Sequence, residues 1–306
     1  MMQKEWSGKT QGGIFGQKAV YYYFRYGSLR LMYGLLFWVI PFYMLFSKKA
    51  YKSSAWYAEN CLKLKSWKIP FFVFGNFYSF GTVFLDRFAI LGNPNRKFKF
   101  TLENHEDFLN LLEQPNGFLI ASAHVGNYEM LAYSFQQSKK KICPILYGAE
   151  AEVFQKLRTD FFSQNNLKPI ALTSDGSHIF EISSALREGN IVSMPADRMM
   201  DNTKIFETVF MGNVAKFPVG IFHLATTFDV PVLTVFVLKN AYREYKIYIQ
   251  KIENQNNIEI KEEKIDFFCN EYVKSLEKIV HQYPKQWYNF YPFWEAEKRR
   301  EMKSKK

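Results

Sequence analysis

Gly117-Phe118-Leu119-Ile120-Ala121-Ser122-Ala123-His124-Val125-Gly126-Asn127-Tyr128-Glu129 is the stretch that decides the reading of this chain. Residues 118–123 form a short apolar run opened by a glycine, the pattern of a strand covered on both faces. A histidine ends the run, a glycine follows two positions later, and a helix-compatible segment begins. In open α/β sheets ligands gather at the carboxyl ends of strands, so His124 stands where chemistry is usually done.

On one continuous helix, positions five apart diverge by about 140° at 3.6 residues per turn, so His124 and Glu129 would not meet there. They meet if His124 lies in the loop and Glu129 in the first turns of the helix, a bend that Gly126 makes easy. A carboxylate on the Nδ1 hydrogen would fix the tautomer, leave Nε2 as a general base and stabilise the imidazolium formed on proton removal. We therefore expect His124 as base and Glu129 as its partner. Backbone N–H groups near Gly126 and Asn127 are candidate donors to an oxyanion about 3 Å away. On these residues alone, a strand-end histidine that merely caps a helix fits as well. No G-x-S-x-G elbow occurs in the chain, so the substrate is expected to supply the hydroxyl. The five histidines, at 105, 124, 178, 223 and 281, form no ligand pattern, and neither a metal nor a cofactor is expected.

Outward from this stretch, short apolar runs alternate with helical segments. Strands are predicted over 118–123, 142–147, 169–172, 191–195, 206–211, 232–238 and 245–252, and helices over 103–112, 128–137, 151–164, 178–187, 218–227 and 263–282. The rhythm predicts an α/β fold, a mixed sheet flanked by helices, with an N-terminal apolar membrane-anchoring helix. The expected division is an extension and anchor over residues 1–50 and an α/β domain over 51–306. Phe74, Phe77, Tyr78, Phe84 and Phe88 recur at helical spacing, a stripe suited to core packing or to lining an acyl groove.

Between Arg30 and Lys48 lie 17 uncharged residues interrupted by Pro41, whereas a spanning helix needs about 20. Lysines and arginines flank the segment on both sides and give no orientation. Residues 21–46 are read as an anchor, either a short tilted span or a half-inserted element, with Tyr21, Tyr22, Tyr23, Trp38 and Tyr43 at the interface. The competing reading is a buried helix of a soluble domain. A net charge of +11, from 40 Lys and Arg against 29 Asp and Glu, favours an anionic partner. No nucleic-acid-binding motif accompanies it, so a membrane surface or an acidic carrier is the better reading and nucleic acid is excluded. The basic tail 298–306 suits anionic lipid. Cys61, Cys143 and Cys269 are too few and too scattered for a disulfide framework and read as ordinary thiols.

His124-Val125-Gly126-Asn127-Tyr128-Glu129 resembles the hallmark of the bacterial lipid A biosynthesis acyltransferases, a branch of the lysophospholipid acyltransferase group, often written His-x-Gly-Asn-Trp-Glu. Three further blocks follow in the family's order. Met194-Pro195-Ala196-Asp197-Arg198 is similar to a strand-end Asp-Gln block, with Arg198 replacing glutamine. Val209-Phe210-Met211-Gly212-Asn213 resembles a Phe-Gly block. Pro284-Lys285-Gln286-Trp287-Tyr288 resembles a Pro-x-Gln-Trp block. The resemblance implies transfer of a fatty-acyl group from acyl carrier protein, or from coenzyme A, to a hydroxyl of a lipid A-precursor-like acceptor at the cytoplasmic face of the inner membrane. It implies Gly126, Asn127, Asp197 and Arg198 as substrate-binding residues beside the His124–Glu129 dyad. Where the family continues Gln-Trp with a His-Arg-rich sequence, this chain has Asn289-Phe290-Tyr291-Pro292-Phe293-Trp294. That departure keeps open another acceptor, such as a glycerolipid, an amino-acid lipid or an aryl-polyene-type lipid. A non-enzymatic, membrane-associated lipid-binding protein is the remaining alternative.

Overall fold

A computed structural model describes residues 19–93, 95–134, 140–146, 167–173, 175–199, 204–254 and 258–297. The helix predicted over 151–164 and the basic tail 298–306 lie outside the described residues.

Among the described residues, seven strands form the central sheet: β1 (Lys99–Glu103), β2 (Phe118–Ser122), β3 (Ile142–Leu146), β4 (Ile170–Ala171), β5 (Ile191–Pro195), β8 (Val232–Ala241) and β9 (Glu244–Ile252), in the order β1-β9-β8-β2-β5-β3-β4. β6 (Ile205–Phe210) and β7 (Asn213–Pro218) make a separate antiparallel hairpin. Pairing is parallel from β8 through β2, β5 and β3 to β4, then reverses at the antiparallel β8–β9 pair, so the expected mixed sheet is present. All five residues of β2 are buried. Phe118 and Ile120 face a cluster with Phe108, Leu111 and Met130, while Leu119 and Ala121 face one with Ile182, Leu186, Tyr272 and Leu276. Each large apolar side chain buried there contributes about 1.5–3 kcal/mol, and a one-residue slip would exchange the two faces, so the alternation fixes the register of β2.

The covering helices are α4 (Glu106–Glu113), the short α5 (Leu131–Ser134), α6 (His178–Arg187), α7 (Gly220–Phe228) and α8 (Lys261–Gln282), preceded by α1 (Leu29–Phe46), α2 (Lys48–Asn60) and α3 (Ile69–Gly92). The first described turn after the His124 stretch is a 3₁₀ turn, Tyr128–Met130, rather than α-helix. Two strands escape the sequence reading. β1 lies just ahead of the helix predicted over 103–112, where no strand is predicted, because an edge strand with one covered face carries Lys99, Thr101 and Glu103. β7 is formed by a two-residue turn, Met211–Gly212, both with positive φ (53° and 76°), the geometry that matches the strand twist of a hairpin.

α1 runs through Pro41 and lies along α3. Phe24 and Leu29 pack on Leu85, Phe88 and Ala89, and Ile40 packs on Val73 and Phe77. The aromatic stripe is thus the seat of α1: the Phe37 and Phe74 rings are 5.3 Å apart, and the Tyr78 hydroxyl donates to the Tyr33 carbonyl at 3.2 Å. The opposite side of α1 presents Leu31, Leu35, Trp38, Phe42 and Leu45 to the outside, spaced as one helical face, and Trp38 is 71% exposed. Among the described residues, none covers this face. Trp56 and Tyr57 of α2 are buried among Trp287, Trp294 and Phe210.

Candidate active site

β2 and β5 are parallel neighbours with Ser122 opposite Pro195. Two residues further along each strand stand His124 and Asp197, so the register alone brings them together at the carboxyl edge of the sheet. His124 Nδ1 is 2.7 Å from Asp197 Oδ1. Oδ2 accepts from the His124 peptide N–H at 3.0 Å and from the Trp287 indole N–H at 3.3 Å. Burial by itself would raise the Asp197 carboxyl, but the contacts with His124 and the nearby Arg198 outweigh it and hold the carboxyl below its ordinary range. Burial and then Arg198 pull His124 below its ordinary 6.5, against the pull of Asp197 and Glu129. Together these directions describe a carboxylate accepting from Nδ1–H and a neutral imidazole whose Nε2 lone pair is available to a substrate proton.

The carboxylate on Nδ1 is therefore Asp197, where Glu129 was expected. Glu129 lies in the 3₁₀ turn, and its carboxylate pairs with Arg87 of α3. The cause is Gly126, whose φ of 59° swings the following residues against β8 and carries Glu129 toward α3. Glu129 still acts on His124 through space, favouring the imidazolium.

The expected oxyanion donors are also spent. Gly126 N–H donates to the Gln286 carbonyl at 2.8 Å and Asn127 N–H to the Val237 carbonyl at 2.7 Å. The Asn127 side-chain amide donates to the Val83 carbonyl at 3.0 Å and to the Tyr245 hydroxyl at 3.2 Å, which ties the turn to α3 and β9. Of the four residues expected to bind substrate, Gly126 and Asn127 lie in the turn with their N–H groups bonded to backbone carbonyls, and Asp197 is bonded to His124. Arg198 is the cation set beside the imidazole; its guanidinium reaches the Tyr288 carbonyl at 3.4 Å and lies 5.7 Å from the Tyr291 ring centroid.

The C-terminal block closes the site. Val125 bridges to Trp287, and Tyr288 N–H donates to the His124 carbonyl at 3.1 Å. Gln286 uses both ends of its amide on the backbone of Lys239, at 2.9 and 2.7 Å, where the β8–β9 register is interrupted. Gln286, Trp287 and Arg87 had been given no role from sequence. The available signal was the tryptophan: a buried indole must place its N–H, and Trp287 places it on Asp197.

A neutral imidazole braced by a buried carboxylate at the carboxyl edge of an α/β sheet is equipment for activating an incoming hydroxyl. The family model for bacterial lipid A biosynthesis acyltransferases matches residues 73–296, and the chain belongs to that family. It is a lipid acyltransferase. Among solved structures, the 1-acyl-sn-glycerophosphate (LPA) acyltransferase PlsC from Thermotoga maritima is similar at 12% identity and a TM-score of 0.38, over 78% of this chain and 96% of that one. No curated protein is similar enough in sequence to match.

Proposed function

We propose that the protein transfers a fatty-acyl group from a thioester, on acyl carrier protein or coenzyme A, to a hydroxyl of a lipid acceptor at the cytoplasmic face of the inner membrane. The observation that carries this reading is the His124–Asp197 pair, which leaves Nε2 as the base. The acceptor O–H gives its proton to Nε2 while its oxygen attacks the thioester carbonyl. The resulting oxyanion collapses, the C–S bond breaks, and the departing thiolate takes the proton back from the imidazolium. With the N–H groups at 124, 126 and 127 committed, Arg198 is the group we assign to the oxyanion. Glu129 adds negative charge that favours the imidazolium. A precursor of lipid A is the first candidate acceptor. A different lipid is the second, because Tyr288 and Phe290, in the segment where the family is rich in His and Arg, lie on Phe80 of α3, with ring centroids 5.2 and 5.3 Å away. Incubating the purified protein with labelled acyl carrier protein or acyl-coenzyme A and a total lipid extract, then identifying products by mass spectrometry, tests the reading. An ester-linked acyl lipid is expected, and absence of labelled lipid with both donors would overturn it.

The membrane contact we assign to the bare face of α1. At 18 residues the helix is about 27 Å long, short of a hydrocarbon core of about 30 Å, and α3 holds it at both ends. It fits an element lying in one leaflet, with the exposed Lys48, Lys49 and Lys52 beside it facing anionic headgroups. Replacing Leu35 and Phe42 together by glutamate is expected to weaken binding to anionic vesicles on the order of 100-fold, from the lost burial of two large apolar side chains. Sedimentation with vesicles measures it, and unchanged partition would remove α1 from the contact.

A further inference from the structure

Asp86 sits on α3 with none of its surface exposed. Three side chains from three other elements converge on its carboxylate. Tyr33 of α1 donates its hydroxyl to Oδ1. Lys239 of β8 brings Nζ to 2.5 Å from Oδ2 and 2.9 Å from the Tyr33 hydroxyl. Tyr245 of β9 donates its hydroxyl to Oδ2 at 2.5 Å. That hydroxyl in turn accepts from Asn127 Nδ2 at 3.2 Å, and the same amide nitrogen also donates to the Val83 carbonyl of α3 at 3.0 Å. Asn127 is three residues from His124 in the turn that carries the base.

Such a cluster is a poor choice if adhesion is all that is needed. Taking a carboxylate and an ammonium out of water cancels much of their mutual attraction, and apolar side chains of similar volume would hold α1, α3 and the sheet together as well or better. What apolar side chains lack is direction. A hydroxyl fixed by a buried carboxyl group presents its lone pair at one place and one angle, and here that lone pair meets the amide of Asn127. Burial and then Asp86 raise the Tyr245 phenol far above its ordinary value, so the hydroxyl keeps the proton that it donates.

We propose that Asp86 is a positioning residue for acyl transfer: through Tyr245 and Asn127 it fixes the turn carrying His124, and through Tyr33 it sets that turn against the apolar helix α1. The inference rests on the acyl-transfer reading above. It also supplies that reading with a geometric need, since a base serving an acceptor held in a leaflet must sit at a set distance from the element that touches the leaflet. Among the described residues, Asp86 is the carboxylate bonded both to α1, through Tyr33, and to Tyr245, which holds the Asn127 amide.

The test uses the full chain bound to anionic vesicles, with Tyr245→Phe, Asp86→Asn and Tyr33→Phe. Tyr245→Phe removes only a hydroxyl, and the ring keeps its neighbours Phe98 and Phe100. It is expected to lower kcat about 10- to 100-fold, the effect of a displaced catalytic group, with the KM for the acyl donor within about twofold of the parent value. Asp86→Asn combined with Tyr245→Phe should lose little more than the worse single variant, because both act through Asn127. A merely structural role would lower the yield of folded protein but leave turnover per folded molecule alone, so rates are normalised to folded enzyme. The second readout is the ¹⁵N-imidazole signal of His124, assigned by its loss in His124→Ala, which is expected to move in Tyr245→Phe. Turnover per folded molecule unchanged in both Tyr245→Phe and Tyr33→Phe, with the His124 signal unmoved, overturns the proposal. If Asp86→Asn does not fold, the two phenylalanine variants carry the test. Should the parent enzyme transfer no acyl group from either donor, the functional reading fails, and the His124 signal alone decides whether Asp86 positions it.

Discussion

Replacing His124 by alanine, or Asp197 by asparagine, is expected to lower acyl transfer by about 10²- to 10⁴-fold, the usual worth of a positioned acid–base group. The alanine variant simply removes the base. The asparagine variant keeps the shape of the side chain, and its effect follows from which oxygen is already committed. Oδ2 of Asp197 accepts from the His124 peptide N–H and from the Trp287 indole, two donors that hold an acceptor in that place. An asparagine will keep its carbonyl oxygen there and turn its NH₂ toward His124 Nδ1. Nδ1 must then accept, the proton moves to Nε2, and the nitrogen that should receive the acceptor's proton no longer has a lone pair. Glu129→Gln weakens the pair with Arg87 and removes a through-space pull on His124, and is expected to cost about tenfold or less. A Glu129 variant more damaging than the Asp197 variant would reverse the assignment of the partner. The pH profile supplies an independent check. Burial and Arg198 hold His124 below 6.5, so the neutral base persists as pH falls and kcat/KM should decline only below that value, as His124 takes its proton. Asp197 is depressed in its turn and stays ionised across this window. In Asp197→Asn the larger of the two upward pulls on His124 is gone, leaving Glu129, and the residual acid limb should move to still lower pH.

The sequence made the strand before His124, its place at the sheet edge and the mixed α/β architecture legible, because each is local: an apolar run, a glycine, and an alternation of periods. The partner of His124 was not local. Glu129 is five residues away along the chain and Asp197 is more than seventy, yet β5 lies directly beside β2, and the register places Asp197 against the imidazole. Nothing in the spacing of either block shows which strands are neighbours. The same limit hid the fate of the Gly126 and Asn127 N–H groups, whose acceptors, Gln286 and Val237, come from far along the chain. β1 was hidden for another reason. With one face covered it has no continuous apolar run, and its lysine and glutamate read as loop and helix start. The apolar helix α1 was legible as apolar, but whether its stripe met protein or the outside depended on α3, whose aromatic face is used up in seating it.

Gly126→Ala is expected to be the most damaging of the glycine substitutions, in stability and in rate together. The turn requires φ of 59°, a left-handed conformation that costs a side-chain-bearing residue roughly 1–2 kcal/mol. A Cβ at this position would also lie 2.1 Å from the Val237 carbonyl oxygen and 3.0 Å from its carbon. Val237 is buried in the middle of β8, paired with β9, so its backbone has nowhere to retreat. The turn must lift instead, giving up the bonds from Gly126 N–H to Gln286 and from Asn127 N–H to Val237, each worth about 1 kcal/mol. The combined loss is on the order of 3–5 kcal/mol, and the displaced His124 should cost about 100-fold in kcat. Gly212→Ala separates the two causes, since Gly212 also has positive φ, at 76°, but a Cβ there meets nothing within 4 Å. It should show only the backbone cost and near-normal turnover. Thermal denaturation and kcat of the two variants side by side measure the difference, and a Gly126 variant no worse than the Gly212 variant would mean that the close seating of the turn on β8 does not hold the base in place.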